Sequence, residues 1–255
     1  MVDTEIKVPF PDGDDLRLSI AVGACRLALR PGGPEDWVRG TYTDPTGQLP
    51  PSVAQDGPGV RISQHYEVGG VLRLFQGAPS FDLALGTARP YSLSLEGGAS
   101  ENSLDLGGLP LVRLAVKHGA GTLDIDFSRP NPEAMTLLDI ATGAGGLDAR
   151  NLANANCAEM RLEGGAAAYR VHFGGSLQRH ANARISTGVS SVEVIVPGTT
   201  AAKVTVDSVL GSLEVGDGWT TRESAFWTAA GSSAGGALLT VEVHVALGTL
   251  KLTAG

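Results

Sequence analysis

The chain has five histidines, the side chains best suited to bind a transition metal or to transfer protons near neutral pH. No two of them have the i,i+4 spacing of a helical zinc site, and there is no HExxH motif. His172 and His244 fall at outward positions of predicted strands, and His118 comes just before a predicted corner. We therefore predict no metal site and interpret all five as solvated surface residues: His65, His118, His172, His180 and His244.

Acidic residues could provide a different kind of metal site. Asp124, Asp148 and Glu214 each lie three residues after a glycine, and carboxylates stacked in this way could bind calcium. Ala168 and Ser191 occupy the intervening positions of the same series, so the ladder is interrupted. The series is better explained as an acidic, solvent-facing surface.

Paired acids are also the residue type that glycoside hydrolysis requires. Asp124 with Asp126, and Asp14 with Asp15, are such pairs, but nothing in the sequence distinguishes one pair from the others. Gly231-Ser232-Ser233 is interpreted as a loop rather than as the site of a serine nucleophile, and the phosphate-binding motif GxxxxGK[ST] is absent. The sequence thus predicts no catalytic residue and no cofactor.

The two cysteines, Cys25 and Cys157, lie far apart in the sequence and form no CxxC motif, which argues against a zinc ribbon. A disulfide between them is possible. The prediction we adopt is a pair of buried free thiols, because unpaired cysteine is among the most buried residue types.

The charge of the chain restricts its partners. The formal net charge is -8, from 27 acidic and 19 basic residues, and the basic residues are scattered singly. Without a basic stripe, binding to nucleic acid is not expected. No apolar stretch is long enough to span a bilayer, and the N-terminus shows no signal peptide. We expect a chain that is soluble as written, either cytoplasmic or the soluble part of an envelope-associated protein.

Strict alternation of apolar and polar residues dominates the sequence, which predicts β-strands with one buried and one exposed face. Helical periodicity is nearly absent. The alternating apolar runs are Leu16-Leu18-Ile20, Leu123-Ile125-Phe127, Tyr169-Val171-Phe173, Val192-Val194-Val196 and Val241-Val243-Val245.

Glycine, at 35 of 255 residues, marks the joints between these runs. From Gly121, the intervals to the next such glycines are 24, 20, 23 and 23 residues, a period typical of a solenoid. We predict an all-β fold: a single-stranded β-helix-like stack of short strands whose corners need residues without a Cβ. The predicted corners are Gly23, Gly121, Gly145, Gly165, Gly188, Gly211 and Gly248.

Counting from each corner glycine gives a predicted register. Positions +2, +4 and +6 should point inward, as Leu123, Ile125 and Phe127 do after Gly121, and Asn151 would be an inward polar rung. Position +5 should point outward, which predicts that Asp126 faces Arg150 and that Arg170 faces Glu193 on neighbouring strands. The register fails around Gly86, where a bulge is expected.

We predict one elongated domain over residues 1–255. Residues 1–78, rich in proline between Pro31 and Pro58, form a less regular N-terminal lobe, and residues 79–255 hold the regular repeats. Residues 216–236 contain Trp219 and Trp227, which suggests a flap packed over one end of the stack, since an open solenoid end exposes unpaired strand edges.

Two segments carry a family resemblance. Residues 183–215 resemble the C-terminal domain of LiaF-like cell-wall-active-antibiotics-response proteins. Residues 119–189, with the phrases GAGTLDIDF and TGAGGLDARNL, resemble the wider toast-rack or putative-adhesin family. The resemblance implies a β-helix-like stack, often attached to membrane segments in bacterial envelope-stress or signalling proteins, and it supplies no catalytic residues.

Together these observations predict a non-enzymatic scaffold or interaction module, in envelope-stress sensing or adhesion, with an unidentified protein or glycan partner. Solenoids offer extended, repeated surfaces suited to such partners. The alternative is a glycan-binding or polysaccharide-active protein that uses a groove on the stack. Self-association through the solenoid ends is a third possibility.

Overall fold

A computed structural model describes residues 1–64, 77–232 and 235–255 of the chain. Within these ranges it contains sixteen β-strands in one sheet, and its only helical segments are the short 3-10 turns Leu152–Ala155 and Ala230–Ser232. The predicted all-β fold class is confirmed. His65 lies outside the described residues.

The strands fall into a short and a long class. The short strands are β1 (Val2–Val8), β2 (Leu16–Val22), β3 (Arg26–Pro31), β4 (Val38–Asp44), β5 (Pro51–Asp56), β6 (Gly59–Gln64), β7 (Ser80–Leu85), β14 (Trp219–Arg222) and β15 (Ala225–Thr228). The long strands are β8 (Tyr91–Asp105), β9 (Leu111–Asp126), β10 (Met135–Arg150), β11 (Cys157–His172), β12 (Ala181–Val196), β13 (Ala202–Val215) and β16 (Leu239–Ala254).

The long strands bend back on themselves. After β8 ends at Asp105, residues 106–110 lead to Leu111, which begins β9 and pairs with Tyr91 at the start of β8. This connection reaches at most about 22 Å, whereas a straight strand of the length of β8 would span about 50 Å. The ends of β8 therefore lie close together, and its two halves fold around a shared core, as the single hydrophobic cluster shows. Each long strand with its return connection is one rung of a β-solenoid-like stack.

The rungs are parallel, and their spatial order differs from their sequence order at one place. From β8 to β12 each rung pairs with the next along the chain, but β16 then lies between β12 and β13. The rung of Gly248 is thus inserted between those of Gly188 and Gly211, which a count along the chain does not reveal.

The alternation correctly predicts which residues are buried. Leu123, Ile125 and Phe127 are completely buried. Asn151 is not an inward rung: its backbone is left-handed, with φ of 56°, and its amide donates a hydrogen bond of 2.8 Å to Asp126 on the outer face. Two buried asparagines elsewhere form the expected hydrogen bonds to neighbouring backbone. The amide of Asn131 donates to Leu111 O, at the start of β9, at 2.8 Å, and that of Asn154 donates to Phe127 O, just after β9, at 2.9 Å.

Both predicted charge pairs are confirmed. Arg150 pairs with Asp126 across the β9–β10 ladder, with Nε 3.8 Å from Oδ2. Arg170 pairs with Glu193 across the β11–β12 ladder, with Nε 3.4 Å from Oε2. Ion pairs this close to the surface contribute little stability.

Between these two pairs the predicted register is wrong by two residues. Gly145 pairs with Ala167 rather than with Gly165, and Leu147 pairs with Tyr169. A shift of two residues leaves every side chain on the same face of a strand, so alternation alone does not detect it.

The N-terminal residues begin the same stack. β2 pairs with the first half of β8 and β3 with its second half, so that together they form one rung interrupted near Gly23. β6 and β7 add outside β2 and β3, and antiparallel strands finish this end: β5 on β6, and β4 followed by β1 on β7.

At the other end of the stack, β14 and β15 form an antiparallel hairpin within residues 216–236. β15 pairs with β13 over residues 203–205 only. Trp219 and Phe226 of this hairpin pack against the core cluster, so the hairpin covers the first half of the last rung.

Replacing Gly145 by alanine should destabilise the protein strongly. Gly145 has φ of +126°, and a Cβ there would lie 1.9 Å from the carbonyl oxygen of Gly121 on the neighbouring rung. Backbone strain alone costs about 1–3 kcal/mol, and the collision adds to it. Gly146→Ala is the matched control, because a Cβ at Gly146 meets nothing within 4 Å. Urea unfolding should give a large loss for Gly145→Ala and a change within about 0.5 kcal/mol for Gly146→Ala; equal losses would contradict this account.

Candidate functional site

The bend of the long strands forms a continuous outer surface, which we call the corner ridge. It consists of the residues at the middle of each bend, which follow one another across neighbouring strands and are all exposed. In spatial order they are Ala99, Ala120, Ala144, Ala166, Val189, Leu247 and Leu210.

Small residues on both sides of the ridge let the strands approach closely at the bend. Before the ridge, a Cβ at Gly143 would lie 2.4 Å from the carbonyl oxygen of Gly119, and one at Gly165 would lie 2.4 Å from that of Gly143. After the ridge, Gly121 and Gly145 have positive φ. The bend is therefore flanked by two columns of small residues rather than one.

The seven glycines named from the sequence divide between these columns. Gly121, Gly145, Gly211 and Gly248 lie after the ridge and have φ of +111°, +126°, +154° and +144°. Gly165 and Gly188 lie before the ridge, and neither they nor Gly23 has a positive φ. Aligning Gly165 with Gly145 is wrong by two residues, and so is aligning Gly188 with Gly211 and Gly248, because Ser190 pairs with Gly248.

The corner ridge carries no charge over its whole length. Its seven strands extend about 28 Å at the usual strand spacing. The side chains grow from alanine to larger apolar residues towards β13: Val189 is 61% exposed, Leu247 51% and Leu210 71%. Exposed large apolar side chains grouped in this way are typical of an interaction surface.

A shallow groove of about 920 Å³ runs beside the ridge across β6, β2, β8, β9 and β10. Its charged residues are Arg61, Glu96 and Lys117, of which Arg61 and Glu96 form an ion pair of 3.8 Å. Ala21, Gly98 and other small residues make up most of the remaining lining, and none of the described lining residues is aromatic.

His118 lies beside this groove but is almost completely buried. Its ring is buried, with Nε2 3.1 Å from the carbonyl oxygen of Ser100, so the prediction of a solvated surface histidine is wrong here. Glycine at position 97 leaves room for the ring, since a Cβ there would lie 3.2 Å from it. The groove thus contains no accessible histidine among its described residues.

The other described histidines are spread over the stack. His172 is half-buried, and His180 Nδ1 accepts a hydrogen bond of 3.1 Å from the backbone N–H of Leu238. His244 Nδ1 lies 3.6 Å from Asp207 Oδ2. No three histidine, cysteine or acidic side chains within the described ranges come together in a way that could hold a metal ion.

Asp124 and Asp148 do lie side by side, in register on β9 and β10. They line a shallow groove of about 280 Å³ together with Glu193. Basic side chains accompany the acids, because Arg150 lies 3.3 Å from Asp148 and Lys251 lies 3.0 Å from Glu193. Glu214 is on β13, opposite Lys251, so the predicted acidic series is distributed among basic partners.

Two further features bear on the candidate chemistry. Asp14 and Asp15 are exposed in the turn before β2. Residues 231–235 read GSSAG, which has the letters of the GxSxG nucleophile motif. That motif requires a turn between a strand and a helix, whereas Gly231 lies in a short 3-10 turn after β15; Ser233 itself lies outside the described residues.

Sequence reasoning did not single out Asp44, which is buried at the end of β4. Burial raises the pKa of the Asp44 carboxyl. Hydrogen bonds from the backbone N–H groups of Leu49 and Thr46, each 2.8 Å long, lower it by more than burial raises it, so the pKa lies below its usual value. This carboxylate closes the turn after β4 and is satisfied by it, which is a structural role.

Both cysteines are free and buried, as predicted. Burial raises the pKa of the Cys25 thiol to about 12 and that of Cys157 to about 11. A thiol that stays protonated at neutral pH is a poor nucleophile and a poor metal ligand.

The family of the chain follows from its sequence. A family model described as the N-terminal domain of toast_rack, DUF2154, matches residues 2–146. The chain belongs to the toast-rack family. No curated protein is significantly similar to it in sequence.

The chain is similar to two solved structures. One is described as a putative cell adhesion protein from Clostridium sporogenes, at 12% identity and a TM-score of 0.52, with 100% of this chain and 99% of that chain covered. Another is described as a putative adhesin from Bacteroides fragilis, at 11% identity and a TM-score of 0.34, with 98% and 96% covered. At these identities the likeness concerns the fold alone. Within the described residues, the chain has no helix that is apolar and long enough to cross a bilayer.

The buried thiols should make the protein less stable at high pH. The ordinary thiol pKa is 9.0, so between pH 9 and about 12 the unfolded chain releases the Cys25 proton while the folded chain keeps it. This contribution to stability is complete below pH 9 and is lost as the pH rises through that window. Urea unfolding at a series of pH values should show a shallower decline for Cys25→Ala than for the unmodified chain.

Thiol labelling supplies an independent check of the same burial. A thiol reagent at pH 8 should modify neither cysteine of the folded protein and both in urea. Val53→Cys, at a side chain that is 48% exposed, provides the reactive control. Rapid labelling of the unmodified folded chain would contradict the burial of the thiols.

Proposed function

We propose that this toast-rack chain is a non-enzymatic adhesion module that binds a protein partner along the corner ridge. The observation that carries the proposal is the uncharged, exposed row that ends in Val189, Leu247 and Leu210. Monomeric proteins rarely expose large apolar side chains next to one another unless the patch binds something. The parallel, in-register rungs hold these side chains in a fixed array, so little conformational entropy is lost on binding.

The chemistry of the neighbouring groove supports a binding role over catalysis. Glu96 is the one carboxylate among its described lining residues, and it is paired with Arg61. The ring of His118 is buried against the carbonyl oxygen of Ser100 and is not accessible to a ligand. General acid–base catalysis needs a proton donor and acceptor within reach of a bound substrate, and these residues offer no such pair.

A protein partner also agrees better with this surface than a glycan does. Small-molecule and sugar sites usually combine aromatic side chains with a few convergent polar groups. The described lining of the groove has neither an aromatic ring nor such a cluster, and the ridge is apolar. An exposed row of apolar side chains resembles the apolar core of a protein–protein interface.

Adhesion is the setting that the relatives favour. The Clostridium sporogenes structure that shares the fold over the full length of this chain is described as a putative cell adhesion protein. Envelope-stress sensing, which the sequence resemblance implies, would also require contact with a protein partner. The corner ridge would serve both settings, and the identity of the partner separates them.

Substituting the large apolar residues of the ridge should weaken binding. The probe is a panel of purified extracellular-matrix proteins together with a glycan array, presented to the immobilised chain. The double variant Val189→Lys/Leu247→Lys should lower the affinity for any protein ligand about tenfold or more, since buried apolar contacts dominate such interfaces. Val53→Lys is the matched control, because Val53 is 48% exposed but lies on β5, far from the ridge in strand order.

Each outcome has a defined meaning. Saturable protein binding that is lost in the double variant and kept in Val53→Lys supports the proposal. Binding to glycans alone supports the glycan-binding alternative, and no binding to either panel contradicts adhesion. Both variants should unfold at the same temperature as the unmodified chain, because Val189, Leu247 and Val53 are exposed and should tolerate lysine.

A further inference from the structure

The second half of β13 forms a sheet edge that nothing covers among the described residues. We call residues 210–215 the open edge. β13 pairs with β16 on one side, and β15 covers residues 203–205 on the other side. All residues from 210 to 218 are exposed, so the described chain leaves the whole open edge accessible to solvent.

Elsewhere at the two ends of the stack, antiparallel strands pair with the outermost parallel strands. At the N-terminal end, β5 closes the first half-sheet and β1 with β4 closes the second. At the C-terminal end, the β14–β15 hairpin closes the first half-sheet. Natural proteins usually protect such edges, because unpaired backbone groups pair readily with another strand. β1, β5 and β14 also pair on one side only, but they are short antiparallel strands, whereas the open edge belongs to a long rung whose core positions face solvent.

The alternation of the β13 backbone shows which N–H and C=O groups of the open edge have no partner strand among the described residues. Gly216 N–H, the next residue after β13, donates to Leu252 O of β16 at 2.9 Å. In an extended strand the N–H and C=O groups of successive residues point to opposite sides. Ser212 and Glu214 therefore also pair with β16, while Leu213 and Val215 direct their N–H and C=O groups away from it.

The side chains of the same residues belong to rows of core positions. Leu213 pairs with the buried Leu250 and Val215 with the buried Leu252. Because no further rung follows, Leu213 and Val215 are each 41% exposed. The open edge thus presents free hydrogen-bonding groups and unburied apolar side chains at the same residues.

We propose that a second copy of this chain pairs with the open edge, in an antiparallel arrangement whose two-fold axis passes through Leu213. In this register Leu213 of each copy faces Leu213 of the other, and their free N–H and C=O groups bond to each other. Val215 falls opposite Gly211, and Glu214 falls opposite Ser212. The edge is therefore complementary to itself, as a two-fold interface requires.

Charge favours this register over the one centred on Glu214. An axis through Glu214 would also pair the free backbone groups, but it would place the two Glu214 carboxylates directly opposite each other. Like charges in that position destabilise a strand pair. Centring on Leu213 avoids this repulsion and buries the apolar side chain that lies at the middle of the edge.

Cysteine substitution tests both the pairing and its register. Facing residues in a hydrogen-bonded antiparallel pair have Cα atoms about 5.5 Å apart, within the range that a disulfide spans. Leu213→Cys should therefore form a disulfide-linked dimer on mild oxidation. Val215→Cys is the matched control, since it has the same exposure, but the two copies of residue 215 would lie about 14 Å apart. The native thiols are buried and should not interfere.

Sedimentation equilibrium provides the second measurement. The unmodified chain should form a concentration-dependent dimer, and Leu213→Lys should be monomeric because two ammonium groups would meet at the axis. Val53→Lys should remain dimeric. A chain that is monomeric at all concentrations, a Val215→Cys disulfide as efficient as that of Leu213→Cys, or growth beyond a dimer would each overturn the proposal. Leu210 belongs to both the corner ridge and the open edge, but the ridge variant changes only Val189 and Leu247, on β12 and β16. Loss of ligand binding in that variant is therefore distinguishable from loss of the dimer.

Discussion

The close approach of neighbouring rungs at their bend is the constraint on which the rest of this structure depends. Where a long strand turns, its backbone lies against the carbonyl oxygens of the preceding rung. A Cβ at Gly143 or Gly145 would sit 2.4 Å or 1.9 Å from such an oxygen. Only small residues fit there, so glycine is favoured on both sides of the bend in a rung such as β10.

This requirement also shapes the surface that we associate with function. Small residues lie on both sides of each bend, and the middle residue of the bend is exposed on the outer surface. These middle residues follow one another across seven strands. A row that contains no charged residue and ends in valine and leucine is poorly suited to catalysis and well suited to contact with another protein. The close approach of the rungs at the bend thus underlies both the stack and the exposed ridge on which the proposed function rests.

A stack of identical rungs creates a second problem, which is how to end it. The hydrophobic core and the hydrogen-bonding ladder both continue to the last rung and are interrupted there. Antiparallel strands solve this at the N-terminal end and over the first half of β13. Insertion of β16 between β12 and β13 places the C-terminal strand inside the sheet, where both its edges are paired.

The sequence by itself determined the strand content, the inward and outward faces, the burial of both thiols and two of the charge pairs. These follow from alternation and composition, which are local properties of the chain. Gly165 shows the limit: alternation is unchanged by a shift of two residues, so only the pairing of Leu147 with Tyr169 reveals the true register.

The tertiary structure alone decided the position of β16, the inward turn of the His118 ring, the uncovered edge of β13 and the alignment of the corner ridge. Each depends on which rung lies beside which. Contacts between residues far apart in the chain fix that arrangement, and no pattern within a single repeat records it.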